Sequence, residues 1–231
     1  MDFVDKSSLR RVNKVVLTQH MNILFDLDGT IIDPKIGLFE CLKRTLEEFR
    51  AYIPVDTELK SCIGPPMRKT LGRLIKTEDT TIIESALGSY RKHYAESGIF
   101  RCELYDGITN LIVELHSRGH LIFLSTSKMH SFAVKILNHF NLRRYFTEVY
   151  GTEASASLDN KSDLVRSIIL SQKLRESESV IIGDRKFDIE AGKTNGIGTV
   201  GVLWGYGSKQ ELVSTGADHI VAEPKDILAI L

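Results

Sequence analysis

The sequence predicts an α/β protein, a parallel sheet with helices on both faces, interrupted once by an all-helical insert. Two observations carry that expectation. Short apolar runs alternate with amphipathic helical stretches along most of the chain, and the crossovers are long enough for parallel neighbours. Between about residues 35 and 100 the alternation stops, and helical patterns follow one another without a strand. At 231 residues there is room for one α/β core and a smaller inserted unit.

In chain order, residues 1–20 carry Lys6, Arg10, Arg11 and Lys14 around a short apolar patch, Val15–Leu17. A secretory signal needs a longer apolar centre, so this stretch reads as an extension outside the chemistry, able to pack as a short helix. The first strand is Asn22–Phe25, which runs into Asp26, Asp28, Gly29 and Thr30. After Asp33–Pro34, Ile36, Leu38, Phe39, Leu42, Leu46 and Phe49 recur at helical spacing. A second short helix is expected over Thr57–Ile63, and Gly64–Pro65–Pro66 breaks it. Pro66 suits the first turn of a third helix to about Ile75, and a fourth runs from about Thr80 to Ser97. These make a four-helix cap domain over residues 35–100, inserted into a core of residues 21–34 and 101–231.

The strand–helix rhythm then resumes. Gly107–Arg118 reads as a helix stopped by Gly119, and His120–Leu124 as a strand ending in Ser125–Thr126–Ser127–Lys128. Ser131–Phe140 is helical, and Thr147–Tyr150 a weak strand ending at Gly151. Lys161–Gln172 is an amphipathic helix, and Ser179–Ile182 a buried strand ending at Gly183–Asp184. Phe187–Asn195 is a helix closed by Gly196, followed by strands at Thr199–Leu203 and His219–Val221. The whole is Rossmann-like.

Composition narrows the function classes. Thirty basic and thirty acidic residues cancel, so no global field draws nucleic acid or an anionic membrane, and any phosphate site is local. No apolar run approaches the roughly 18 residues of a membrane helix. Three widely spaced cysteines, Cys41, Cys62 and Cys102, fit reduced thiols in a cytoplasmic protein. The seven histidines show no metal spacing.

Open α/β sheets bind ligands at the carboxyl ends of their strands, and several such ends carry reactive residue types. Asp26 and Asp28 repel one another, a cost that points to a cation or to a reaction using both; a polar strand end before a turn is the plain alternative. Thr126 and Ser127 offer hydroxyl and amide groups that hold a phosphate oxygen without adding charge, though Ser-Thr-Ser also caps helices. Lys161 opens a helix, unfavourable for the dipole unless an anion sits there or the side chain is merely solvated. Asp184 and Asp188, four apart on a turn entering a helix, can face one hard cation, or Asp188 can be a cap.

Asp26-Leu27-Asp28-Gly29-Thr30, Thr126, Lys161 and Gly183-Asp184-Arg185-Lys186-Phe187-Asp188 resemble, in order, the motifs of the haloacid-dehalogenase-like hydrolases. The resemblance covers about Met21–Leu231, with the helical stretch where that family inserts a cap. It implies that Asp26 attacks phosphorus, that Asp28 is acid and base, and that Thr126, Ser127 and Lys161 hold the phosphate. It further implies Mg²⁺ on Asp26, Asp184, the carbonyl of Asp28, and Asp188 directly or through water. Ile63-Gly64-Pro65-Pro66-Met67 and Trp204-Gly205-Tyr206-Gly207-Ser208 resemble its phosphoglycolate-phosphatase-like branch. Dehalogenases of this resemblance lack a second Asp at position 28, and sugar-phosphate mutases usually show Val where Thr30 stands. A phosphomonoesterase is implied, with phosphoglycolate the first substrate, nucleoside 5′-monophosphates the alternative, and a mutase or a non-catalytic regulatory protein behind them. Arg68, just after the Gly-Pro-Pro turn, is the expected cap contact to substrate, or else a solvent-facing helical arginine. A monomer or homodimer acting on a small phosphorylated metabolite completes the expectation.

Overall fold

The computed structural model describes residues 20–152 and 160–231. The expected extension over 1–20 and the polar loop at 155–160 lie, except for His20 and Asn160, outside the described residues. The chain begins with β1 (Asn22–Phe25), β2 (Ile32–Asp33), α1 (Lys35–Glu48), α2 (Asp56–Leu59), α3 (Met67–Ile75) and α4 (Thr80–His93). It continues with β3 (Glu103–Leu104), α5 (Ile108–Ser117), β4 (Leu121–Met129), α6 (His130–His139) and β5 (Glu148–Thr152). Then come α7 (Lys161–Gln172), β6 (Ser179–Gly183), α8 (Lys186–Thr194), β7 (Gly198–Val202), α9 (Lys209–Thr215) and β8 (His219–Val221).

Six strands form one parallel sheet in the order β5-β4-β1-β6-β7-β8. Winding runs outward from β1 to β5, then crosses to β6 on the other side of β1. That reversal puts a crevice at the carboxyl end of β1, where an open α/β sheet binds its ligand. The strands alternate strictly between two buried faces. Ile23, Phe25, Ile122, Leu124, Val180 and Ile182 pack with Ile108, Leu111, Ile112, Ala133 and Ile136 of α5 and α6. Leu24, Phe123 and Ile181 pack instead with Leu164, Val165, Ile168 and Ala191 of α7 and α8. Full burial on both faces explains the near-continuous apolar runs, each large side chain contributing about 1.5–3 kcal/mol.

The four helices between residues 35 and 100 form the expected insert, with its base joined by the short antiparallel pair β2–β3. Two residues per strand are too few to show a period, so this pair is absent from the sequence reading. The fourth helix ends at His93 and widens into a π-helical turn, Tyr94–Gly98, earlier than a helix running to Ser97. The turn packs closely against α1. A Cβ on Gly37 of α1 would overlap the Gly98 carbonyl, and one on Gly98 would lie 2.6 Å from Cys41 Sγ. The backbones can approach so closely only with glycine at both positions.

Two further differences bear on the site. β4 runs to Met129, beyond the expected end at Leu124, and its register with β5 shifts between Ser125 and Met129. The Trp204–Ser208 loop is followed by α9, closed by Gly216, which lacks a long enough apolar period to be read as a helix. All three cysteines are buried and unpaired. Among the described residues no helix is long and apolar enough to cross a membrane.

Candidate active site

The residue after β1 is Asp26, 4% exposed, its amide donating to the Ile182 carbonyl of β6 at 2.9 Å. Asp184 follows β6 directly, and Asp188 lies in the first turn of α8. Their carboxylates converge, with one oxygen from each of Asp26, Asp184 and Asp188 within 4.8 Å of the others. Lys161, the first residue of α7, brings its ammonium 2.6 Å from Asp26 Oδ1 and 2.5 Å from Asp188 Oδ1. Asn160 caps the same helix by accepting from the Ser162 amide at 2.9 Å, so the helix start is held while the lysine turns inward. The cost of a lysine at a helix N-terminus is offset by two buried carboxylates.

Burial dominates the electrostatics. It pushes the Asp26 carboxyl up to about 7, against the pull of Lys161 and with the repulsion of Asp188. Burial likewise holds Asp184 well above the usual carboxylate range, and the charges of Asp188 and Asp26 add to it. Burial works against the charge of Lys161, but Asp188 and Asp26 outweigh it and raise its pKa. Three carboxylates against one ammonium leave the cluster short of positive charge. The Tyr206 amide donates to Asp184 Oδ2 at 2.7 Å, while Asp184 Oδ1 is buried without a hydrogen-bond partner. An unpartnered carboxylate oxygen among hard oxygen donors fits a divalent cation.

Glycines make room for that carboxylate. Gly29 holds φ +89, and a Cβ there would overlap Asp184 Oδ2. A Cβ on Gly205 would overlap both the Gly29 carbonyl and Asp184. The 204–208 loop therefore closes over Asp184 as a lid of backbone, tied down by Trp204 Nε1 donating to the Thr30 carbonyl at 3.0 Å. Tyr206 also donates its hydroxyl to Asp33 at the entrance to the insert.

Asp28 does not join the three converging carboxylates. Its Oδ2 lies 3.0 Å from Lys128 Nζ, and its Oδ1 is buried without a hydrogen-bond partner. Lys128 also donates to the Tyr94 hydroxyl of the insert at 2.8 Å. Burial opposes the Lys128 charge, but the nearby Asp28 outweighs it and raises the Lys128 pKa. Lys128 has no assigned role in the sequence reading. Its position two residues past Thr126 at a strand end was the signal available.

Thr126, Ser127 and Lys128 all line the cleft above Asp26 and Asp28, which a regular strand with alternating faces would not permit. The register shift in β4 re-aims them. Thr126 is buried, and its hydroxyl accepts from the Lys128 amide at 3.2 Å. From the insert, Arg68 lines the same cleft, with Nε 2.5 Å from Glu84 Oε1. It is not a wholly solvent-facing arginine, its side chain being 28% exposed. Arg91, Tyr90 and Tyr94 line the cleft too, and sequence reasoning missed all three. Tyr90 and Tyr94 sit on the inward face of α4 and its π turn, indistinguishable in sequence from ordinary core positions.

A cluster of this kind, at a sheet reversal beneath a helical insert, has relatives. Residues 23–202 match the profile of the Haloacid dehalogenase-like hydrolase family. A 5′-nucleotidase of Pseudomonas aeruginosa is 32% identical over 89% of this chain and 92% of its own length. A phosphoglycolate phosphatase of Aquifex aeolicus is 29% identical, covering 90% of this chain and 95% of that protein. The crystal structure of a predicted phosphatase from Clostridium acetobutylicum superposes with a TM-score of 0.86 at 31% identity, over 91% of this chain and 99% of that one. The chain therefore belongs to the haloacid dehalogenase-like hydrolases.

Proposed function

We propose that the protein hydrolyses phosphate monoesters through an aspartyl-phosphate on Asp26, with Mg²⁺ held by Asp26, Asp184 and Asp188. The observation that carries this reading is the convergence of those three carboxylates and Lys161 at the end of β1. When bound, the cation neutralises the repulsion between a carboxylate nucleophile and a phosphate dianion. Asp26 attacks in line, one of its oxygens held by Lys161. Lys161 and the hydroxyls and amides around Thr126 and Ser127 stabilise the phosphoryl oxygens. Asp28, two residues on, protonates the leaving oxygen and then takes a proton from the water that releases phosphate. Residues 35–100 act as a cap that supplies the leaving-group contacts, Arg68 among them, and excludes water.

For the leaving group, the cleft favours a nucleoside 5′-monophosphate. It is lined by Tyr90, Tyr94, Phe132, Met67, Met129 and Leu87 as well as by charge. That lining suits a partly apolar, ring-bearing group, and the Pseudomonas relative carries the matching name. Phosphoglycolate, first in the sequence reading, is the second reading, supported by Arg68 and Arg91 in the same wall as partners for a carboxylate.

The test is phosphate release from nucleoside 5′-monophosphates, phosphoglycolate and sugar phosphates, with Mg²⁺ and with chelator. The expected result is kcat/KM for a nucleotide at least tenfold above phosphoglycolate, about 1.4 kcal/mol in transition-state binding, and loss of turnover on chelation. A preference for phosphoglycolate would reverse the choice of leaving group. Undiminished turnover after exhaustive chelation would remove the cation.

A further inference from the structure

The loop that carries two of the converging acids also grips the insert. Arg185 stands between Asp184 and Asp188, and its amide donates to Asp188 Oδ2 at 3.2 Å. Its side chain is 12% exposed and is held from two sides. Nε donates to Glu211 Oε1 of α9 at 2.9 Å, and the same glutamate oxygen accepts from the Lys186 amide at 2.8 Å. Nη1 donates to the Ile63 carbonyl of the insert at 2.5 Å. The guanidinium also lies 5.6 Å from the centroid of the Phe187 ring.

The insert is shaped to receive it. Gly64 takes φ +103, and a Cβ there would stand 2.9 Å from Arg185 Cγ. Glycine is required both by that backbone and by the arginine stem lying against it. From this turn the chain passes through Pro65 and Pro66, whose fixed φ leaves little slack, to Met67 and Arg68 in the wall of the cleft. A displacement at Ile63 is thereby transmitted to the residues facing the leaving group.

We propose that Arg185 is a positioning residue that latches the Ile63–Gly64 turn to the Asp184–Asp188 loop, so that cation binding and seating of the insert favour each other. The inference rests on the reading of Asp184 and Asp188 as cation ligands. A cation that orders the loop fixes the Arg185 backbone and lowers the entropy cost of its bond to Ile63. By linkage, a seated insert then strengthens cation binding by the same factor. The bond is charge-assisted and largely withdrawn from water, so it discriminates between a seated and an unseated turn.

The test uses the full chain without substrate. Mg²⁺ is titrated calorimetrically into wild type, Arg185→Met, Arg185→Lys, Gly64→Ala and Asp184→Asn, and amide exchange is followed at Ile63, Gly64, Met67 and Arg68. In wild type, Mg²⁺ slows exchange at these amides. Arg185→Met and Gly64→Ala each bind Mg²⁺ about fivefold or more weakly and lose that Mg²⁺-dependent slowing, and Arg185→Lys recovers part of both. The Gly64 variant decides between a latch and a local role of Arg185 in its own loop, because Gly64 offers no side chain to the acidic cluster. If the strained Gly64→Ala turn prevents folding, exchange at Ile63 and Gly64 in Arg185→Met at saturating Mg²⁺ decides instead: a latch predicts that slowing is lost there, and a purely local role predicts that it is kept.

Wild-type Mg²⁺ affinity in the Arg185 and Gly64 variants, with Asp184→Asn losing the cation, overturns the latch alone. Persistent Mg²⁺-dependent protection in Arg185→Met overturns it as well. If wild type takes up no Mg²⁺, or Asp184→Asn binds it equally well, the cation reading fails and the latch falls with it.

Discussion

Replacing Lys161 by methionine keeps most of the bulk of the side chain and removes the ammonium, with its charge and its hydrogen bonds. The Lys161 side chain is 7% exposed and pairs with Asp26 and Asp188, whose side chains are 6% and 2% exposed. Without it, Asp26, Asp184 and Asp188 face one another within 4.8 Å with no interior countercharge. Removing one partner of a buried pair costs about 3–5 kcal/mol, and here one cation serves two carboxylates, so the upper part of that range is expected. Loss of a preorganised donor to the phosphoryl oxygens should lower kcat by about 10²–10³. Urea unfolding with and without Mg²⁺, beside steady-state rates, reads both effects. The stability gap between Lys161→Met and wild type should narrow as Mg²⁺ is added, because the added cation supplies the missing charge. A variant within about 0.5 kcal/mol of wild type and of similar turnover would refute the reasoning, since only peripheral residues behave so.

Asp28→Asn should reduce kcat/KM for alkyl phosphates by about 10²–10⁴, and for p-nitrophenyl phosphate much less, because that leaving group departs without a proton. Equal losses on both would remove Asp28 from acid catalysis. Arg68→Ala should change relative rates between leaving groups by about tenfold while sparing a small aryl phosphate; a uniform fall would show damage to closure or folding. His120 accepts a hydrogen bond from the Met21 amide through Nδ1 at 3.1 Å, and burial, with the charges of His20 and Arg118, lowers its pKa below 6.5. The unfolded chain therefore binds the proton first, so this stabilisation is complete above about pH 6.5 and falls away below it. Urea midpoints compared above and below that pH should drop less in His120→Gln than in wild type. An unchanged slope would show that His120 titrates alike in both states.

What could be read from the sequence follows the range of the interactions. The strands and most helices came through because their period is local: both faces of β1 are buried, so Asn22–Phe25 could only be a strand. The helix expected over Lys161–Gln172 is found residue for residue. The convergence of Asp26, Asp184 and Asp188 was accessible because each acid ends a strand or opens a helix at the same edge of a parallel sheet. The Lys128–Tyr94 contact was not, since it joins residues 34 apart in chain on different lobes, and neither carries a local sign of the other. The close approach of Gly37 to Gly98 beside the π turn is hidden likewise, because the two glycines are far apart in the chain. The Trp204–Ser208 run is a recognisable pattern in the sequence, but the donation of the Tyr206 amide to Asp184 depends on three-dimensional closure.

The central claim is a covalent phosphoryl group on Asp26, and acid-quenched turnover followed by peptide mass spectrometry tests it most directly. With Mg²⁺ and a phosphate monoester, the peptide containing Asn22–Thr30 should carry one added phosphoryl group on Asp26. The adduct should be absent in Asp26→Asn and in chelated wild type. Turnover with no such adduct under single-turnover quench, or an adduct on another residue that persists in Asp26→Asn, would contradict the account.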